Sequence, residues 1–257
     1  YEVYTTPPNS SGFQILQTLK MIERVASNDL DFQTTDTLHL MMESVKLCIA
    51  DRIKFAGDPD DHRIPIKGLL SERYARLQMK RIDSSHVASV SGERYALTTP
   101  DGSLVAGRPE HFDSGMTTHF VVMDRNGNVV SITQTLGSSF GCAATAGDTG
   151  ILLNNMCHWF DLEEDSPNQI GPGKRVDFVV APTQTFKNGN FVLSMGTPGS
   201  WGILQTTPQC LLNVLEFGMD IQQAIDAPRF RYYTGRKVEM EKRFPLRVLK
   251  ELDRLGH

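Results

Sequence analysis

Apolar residues recur every three or four positions near the start of the chain, and every second position, or in short unbroken runs, through its middle. Phe13, Ile15, Leu16, Leu19, Ile22 and Val25 have the spacing of one helix face. Leu38, Met41, Met42, Val45, Cys48 and Ile49 have that of another, with Thr34-Thr35-Asp36 offering N-cap side chains. A shorter helix is expected over Leu70 to Ile82. From Asp83 to Gly115 the periodicity is lost among Ser, Gly and Pro, which reads as a long exposed loop. The pattern then turns to strands. His119 to Met123 and Val129 to Thr135 flank Asp124-Arg125-Asn126-Gly127-Asn128, and an Asn-Gly step between apolar runs is a strong hairpin signal. Gly150 to Asn154, Phe178 to Phe186 and Phe191 to Gly196 are expected as further strands, the last two joined at Asn188-Gly189. Helical spacing returns over Ile203 to Phe217, Ile221 to Asp226 and Arg247 to Gly256. Helices, antiparallel strands, then helices predict an α+β layered fold and not a βαβ alternation.

Composition narrows the function classes. The chain has 257 residues, 40% of them hydrophobic and 22% charged, enough for a substantial core. A net charge of -4 gives no basic field for nucleic acid, which is not an expected partner. No stretch approaches the roughly 18 apolar residues of a membrane-spanning helix, so a soluble protein is expected. Cys48, Cys142, Cys157 and Cys210 contain no C-x-x-C pair and are expected as structural thiols; no metal or cofactor is expected. His39, His111, His119 and His158 have no partner at ligand spacing along the sequence. The chain opens on Tyr1 as though inside a strand and stops at His257 straight after an amphipathic helix, which predicts a fragment truncated at both ends.

The polar stretch ends in Asp113-Ser114-Gly115-Met116-Thr117-Thr118-His119 and runs directly into the first predicted hairpin. A threonine entering a strand is ordinarily just a β-branched residue. Here it heads a longer pattern: Thr117-Thr118-His119, Gly127-Asn128, Val130-Ser131-Ile132-Thr133-Gln134-Thr135-Leu136 and Phe140-Gly141. In this order the pattern resembles the autoprocessing region of the γ-glutamyltranspeptidase family. Further landmarks follow the family's order, among them Ser10-Ser11-Gly12, Ala50-Asp51-Arg52, Gly57-Asp58-Pro59, Gly150 to Asn155, Gly171 to Arg175, Gly196 to Gly199 and Asp226 to Phe230.

The resemblance implies the four-layer αββα sandwich of N-terminal-nucleophile hydrolases, here lacking family segments before Tyr1 and after His257. Residues 1–116 would belong to the large-subunit region and 117–257 to the small-subunit region, intertwined in one domain as a heterodimer from one precursor. Cleavage between Met116 and Thr117 would free the Thr117 amine, whose pKa near 8 suits it as base for the Thr117 hydroxyl. Thr135 matches the threonine that contacts the nucleophile. If the strands pair across the turn, Thr117 and Thr135 meet at one end of the hairpin, each nine residues from Asn126. Gly199 and Ser200 stand where a Gly-Gly pair supplies the oxyanion hole; Ser200 serves only if its backbone conformation tolerates a side chain. The compartment is periplasmic or extracellular by resemblance, with a cytoplasmic location left open.

The acyl pocket departs from the family. The acidic residue that holds a γ-glutamyl α-amine is Trp159 here, the serine pair for its carboxylate is Phe178-Val179, and an asparagine expected after Thr135 is Gly137. Burying a zwitterion without partners is costly. Three readings follow: a transferase or hydrolase acting on γ-glutamyl amides such as glutathione, a cephalosporin-acylase-like amidase with another acyl donor, or a non-catalytic, unprocessed relative.

Overall fold

In the computed structural model, residues 1–25, 29–87 and 117–257 are described. Most of the loop expected over residues 83–115, with His111 and Met116, therefore lies outside them. Among the described residues the elements are β1 (Glu2–Thr5), α1 (Phe13–Ile22), α2 (Thr35–Phe55), α3 (Ile66–Leu69), α4 (Glu72–Met79), β2 (Thr117–Met123), β3 (Val129–Thr135), β4 (Thr183–Lys187), β5 (Asn190–Met195), α5 (Ile203–Leu215), α6 (Ile221–Asp226), β6 (Phe230–Thr234), β7 (Lys237–Met240) and α7 (Leu246–Leu255). No helix among them is long and apolar enough to cross a membrane.

The chain folds into two compact units, and each draws on sequence from both sides of Thr117. One comprises Tyr1–Phe13, Lys54–Ile64 and Arg108–Thr207; the other comprises Gln14–Ile53, Pro65–Gly107 and Pro208–His257. The second unit is mainly helical. Its core gathers Leu38, Met41 and Met42 of α2, Phe230 of β6, and Val248 and Leu252 of α7. Burying each such side chain contributes about 1.5–3 kcal/mol. Helix α2 is buried on nearly every side, and its Glu43 and Lys46, both 1% exposed, satisfy each other one turn apart at 2.7 Å.

The first unit carries the antiparallel sheet β1–β4–β5 and the separate hairpin β2–β3. In the hairpin, Asp124 accepts hydrogen bonds from the backbone N–H groups of Asn126 and Asn128, and Gly127 adopts φ +83°, so this residue sequence closes a five-residue loop. In the β4–β5 turn Asn188 and Gly189 both take positive φ, as a tight two-residue hairpin requires. Ser10, Ser11 and Asn9 act structurally: Ser11 donates to buried Asp177 at 2.5 Å, Ser10 to the Val180 carbonyl, and Asn9 to the Val176 carbonyl. The outer face of the β2–β3 hairpin is apolar and exposed, with Val122 at 58% and Val130 at 53%.

The structure corrects several expected elements. Gly150 to Asn154 is not a ladder strand. It makes irregular contacts with residues 142–146, and in and around the two segments Gly141, Ala143, Gly147 and Gly150 adopt left-handed conformations that a regular strand cannot contain. The strand expected from Phe178 begins only at Thr183, because Phe178 exchanges backbone hydrogen bonds with Asn9 and Ser11 and Pro182 lacks an N–H. The helix expected over Leu70 to Ile82 breaks at Ser71, whose hydroxyl caps α4 by accepting from the Tyr74 N–H. The β6–β7 hairpin was not anticipated.

Two of the sequence landmarks meet in the first unit. Asp58, 4% exposed, accepts hydrogen bonds from the Arg175 backbone N–H at 2.8 Å and from its guanidinium at 3.0 and 2.7 Å. These bonds hold the Asp58 carboxyl well below the usual carboxylate range. A depressed carboxyl contributes stability that is complete above its unfolded pKa of about 3.9 and is lost as pH falls toward the folded value. Asp58→Asn is therefore expected to be less stable by about 1–2 kcal/mol at pH 7. Denaturant unfolding from pH 7 to pH 2 should show that deficit shrinking below about pH 4.

Candidate active site

The hairpin register places Thr117 directly opposite Thr135. Their hydroxyls lie 3.0 Å apart with Thr117 as donor, and the Thr135 hydroxyl also accepts the Gly137 N–H at 3.0 Å. Thr135 is thereby held from both sides. Gly137 adopts φ +87°, and a Cβ built there would lie 2.2 Å from Asn155 Oδ1. The asparagine expected at this position has no room. Asn155 itself accepts from the Ser138 N–H, donates to the Ser138 hydroxyl at 2.6 Å, and donates its backbone N–H to the Leu136 carbonyl. It fixes the chain that leaves β3, a role that its place in the Gly150 to Asn155 landmark did not reveal.

Asn155 also precedes a 3-10 turn, Met156–Trp159. The Trp159 ring stacks on Trp201, with centroids 5.0 Å apart and planes at 25°. Trp201 belongs to a second 3-10 turn, Ser200–Gly202, that begins beside Gly199. Gly199 has φ +136° and Ser200 φ +54°. Ser200 thus holds a left-handed conformation suited to the glycine of the expected pair, at a cost of about 1 kcal/mol for a residue with a side chain. Ser200→Gly is expected to raise stability by about 0.5–1 kcal/mol while leaving kcat/KM within about twofold, because the group that the family resemblance assigns to the oxyanion is the backbone N–H, which glycine keeps. Thermal unfolding and turnover measured side by side check this.

The other expected pocket residues differ in exposure. Phe178 is half-buried and its backbone is committed to Asn9 and Ser11. Val179 is 1% exposed, so its side chain is core and offers no surface to a substrate. Asp161, two residues beyond Trp159, accepts from the Ser166 hydroxyl, and its backbone pairs with the Asn168–Ile170 segment. Its carboxylate is engaged within that loop. The two exposed thiols are Cys142 and Cys157, and the buried ones are Cys48 and Cys210.

Of the four histidines singled out in the sequence, His39, His119 and His158 are described. His119 bonds Thr133 at 2.9 Å, its ring lies against Gly196 where a Cβ would come within 2.4 Å, and burial lowers its pKa. His158 is exposed, with its ring edge-on to Trp159. His39, Glu43 and His257 converge with candidate ligand atoms within 4.8 Å; His39 and Glu43 lie four residues apart on α2, and only the approach of His257 is invisible along the sequence. The His39 Nδ1 to His257 Nε2 distance is 2.8 Å, a hydrogen bond. Zinc–nitrogen bonds of about 2.0–2.1 Å would hold two such atoms farther apart. Lys46 occupies Glu43, and burial followed by the charge of Lys46 depresses the pKa of His257 to about 3.

Comparison with known proteins places this hairpin and its surroundings. The family model described as Gamma-glutamyltranspeptidase matches residues 1–257, the whole chain. The chain belongs to the γ-glutamyltranspeptidase family. A glutathione hydrolase proenzyme from Escherichia coli (strain K12) is 32% identical over 268 residues, covering 100% of this chain and 44% of that protein. An Acylase ACY 1 proenzyme from Pseudomonas sp. (strain SE83) is 33% identical over 251 residues, covering 98% of this chain and 42% of that protein. Among solved structures, cephalosporin acylase from Bacillus halodurans superposes with a TM-score of 0.80 at 30% identity, over 99% of this chain and 43% of that one. The fold is thus the α+β N-terminal-nucleophile hydrolase fold that the sequence resemblance implied, of which this chain supplies a part. It spans less than half the length of these γ-glutamyltranspeptidase relatives.

Proposed function

We propose that the chain is part of a self-processing amidohydrolase and acyltransferase with Thr117 as nucleophile. The observation that carries this reading is the 3.0 Å contact between the Thr117 and Thr135 hydroxyls at the head of the hairpin, with Thr135 fixed by the Gly137 N–H. In the precursor, the Thr117 hydroxyl oxygen attacks the Met116 carbonyl carbon. The peptide C–N bond breaks as the hydroxyl proton passes to the Thr117 nitrogen, leaving an ester on the side chain and a free α-amine. Water opens the ester, giving Met116 a carboxyl group and returning the hydroxyl to Thr117. The large and small subunits so produced stay together as a heterodimer.

In turnover the amine is the base. It takes the Thr117 hydroxyl proton as the oxygen adds to the amide carbonyl of the substrate, and returns it to the leaving nitrogen when the C–N bond breaks. The backbone N–H groups of Gly199 and Ser200, at the start of a 3-10 turn, are assigned to the oxyanion, where such a donor contributes about 3–4 kcal/mol. Water, or an acceptor amine, then takes the acyl group from Thr117. The glutathione hydrolase relatives support γ-glutamyl amides as donors. Trp159 at the amine-binding position, with Asp161 held by Ser166, favours the second reading, an acylase with a different donor.

The test uses the full-length protein. Two bands on a denaturing gel, one with a mass beginning at Thr117, together with hydrolysis of γ-glutamyl or acyl anilides, are expected. An intact chain under all conditions would establish an unprocessed, non-catalytic relative instead.

A further inference from the structure

From the Trp159–Trp201 stack we infer that the acyl pocket is built for a donor whose distal end is a flat, uncharged aromatic group. This rests on the reading of Thr117 as nucleophile and concerns which acyl group reaches it. Both tryptophans are tied to that site by short stretches of chain. Trp201 is joined by a peptide bond to Ser200, an oxyanion candidate. Trp159 ends the turn that Asn155 begins, and Asn155 is hydrogen-bonded to the segment that leaves Thr135.

The stack joins the two arms. Its 5.0 Å centroid separation and 25° tilt are those of an offset aromatic pair, too close for a substrate ring to enter between them. A substrate therefore meets the pair from outside, as one broad aromatic surface. The Asn168 amide donates to the Trp159 carbonyl at 2.8 Å and holds its turn in place, so the surface is formed before substrate arrives. Preorganised aromatic area of this kind binds an aryl group by stacking and apolar burial, and it presents no carboxylate to an α-ammonium. The nearest carboxylate along the chain, Asp161, is bound to Ser166. Val179 is core, and so the residue expected to help hold an α-carboxylate is replaced by a side chain that does not reach the surface.

Trp201 is thus assigned as a specificity residue alongside Trp159. The experiment compares full-length wild type, Trp201→Ala, Trp201→Phe and Trp159→Asp on four p-nitroanilides that share one leaving group: phenylacetyl, butyryl, glutaryl and γ-glutamyl. Self-cleavage is scored on every variant by gel and mass. The expected result is processed protein throughout, with wild-type kcat/KM for phenylacetyl at least about tenfold above butyryl. Trp201→Ala should lower the phenylacetyl value about tenfold and leave butyryl within about threefold, with Trp201→Phe largely restoring the preference. Trp159→Asp should shift the ranking toward γ-glutamyl. A processed wild type that prefers the γ-glutamyl anilide, or a phenylacetyl preference untouched by Trp201→Ala, overturns the aromatic assignment and leaves Thr117 standing. Should the tryptophan wall hold an ammonium on its π-face, γ-glutamyl turnover would fall with Trp201→Ala, and that also overturns it. Absence of cleavage before Thr117 in wild type sinks the nucleophile reading and the inference together.

Discussion

Thr117→Ala is expected to run as one uncleaved band and to lower kcat/KM by about 10⁴-fold or more, since in the proposed mechanism the residue supplies the attacking oxygen in processing and, through its freed amine, the base in turnover. Loss of the Thr117 hydroxyl would remove both proposed steps. Thr117→Ser keeps a hydroxyl and should still cleave itself, more slowly, and yield an enzyme with measurable turnover. The pair separates chemistry from folding: circular dichroism and thermal unfolding of the uncleaved Thr117→Ala protein should match a precursor that is folded. In wild type, kcat/KM should rise with pH through about 7 to 8 as the Thr117 amine loses its proton.

Thr135→Val has the second-largest expected effect. Valine has nearly the same shape and keeps the β-branched packing of β3, but it cannot accept from the Thr117 hydroxyl or from the Gly137 N–H. The Thr117 side chain then loses the contact that selects its rotamer, and the Gly137 N–H is left without an acceptor, at about 1–2 kcal/mol. A fall in kcat of about 10²-fold with KM nearly unchanged is expected, because in the proposed mechanism the lost bond orients the nucleophile and does not touch the acyl group. Thr135→Ser should recover most of the rate. A KM rise with kcat intact would show instead that Thr135 belongs to the acyl pocket.

Much of the hairpin was legible because it is local. Asn126-Gly127 marks the loop, the alternation marks the strands, and counting nine residues each way brings Thr117 to Thr135, the register found. Helices α1, α5, α6 and α7 follow from 3.6-residue spacing in the same way. The pocket was legible only as substitutions. That Trp159 replaces an acid is a sequence fact, whereas its stacking on Trp201, 42 positions away, depends on two 3-10 turns whose approach no periodicity encodes. Val179 looked like a pocket residue next to Phe178, and burial removed it.

The sequence by itself determined the family, the α+β class, the hairpin and the identity of the candidate nucleophile, because each depends on residue type or on spacing within a single element. Only the tertiary structure decided that Gly137 is required by the approach of Asn155, that Ser200 bears a left-handed backbone, that Asp58 and Arg175 meet, and that Asp161 turns to Ser166. These are close contacts between segments far apart in the chain, or backbone angles imposed by such contacts. Steric exclusion and hydrogen-bond partnering act through space, and a linear pattern does not carry them.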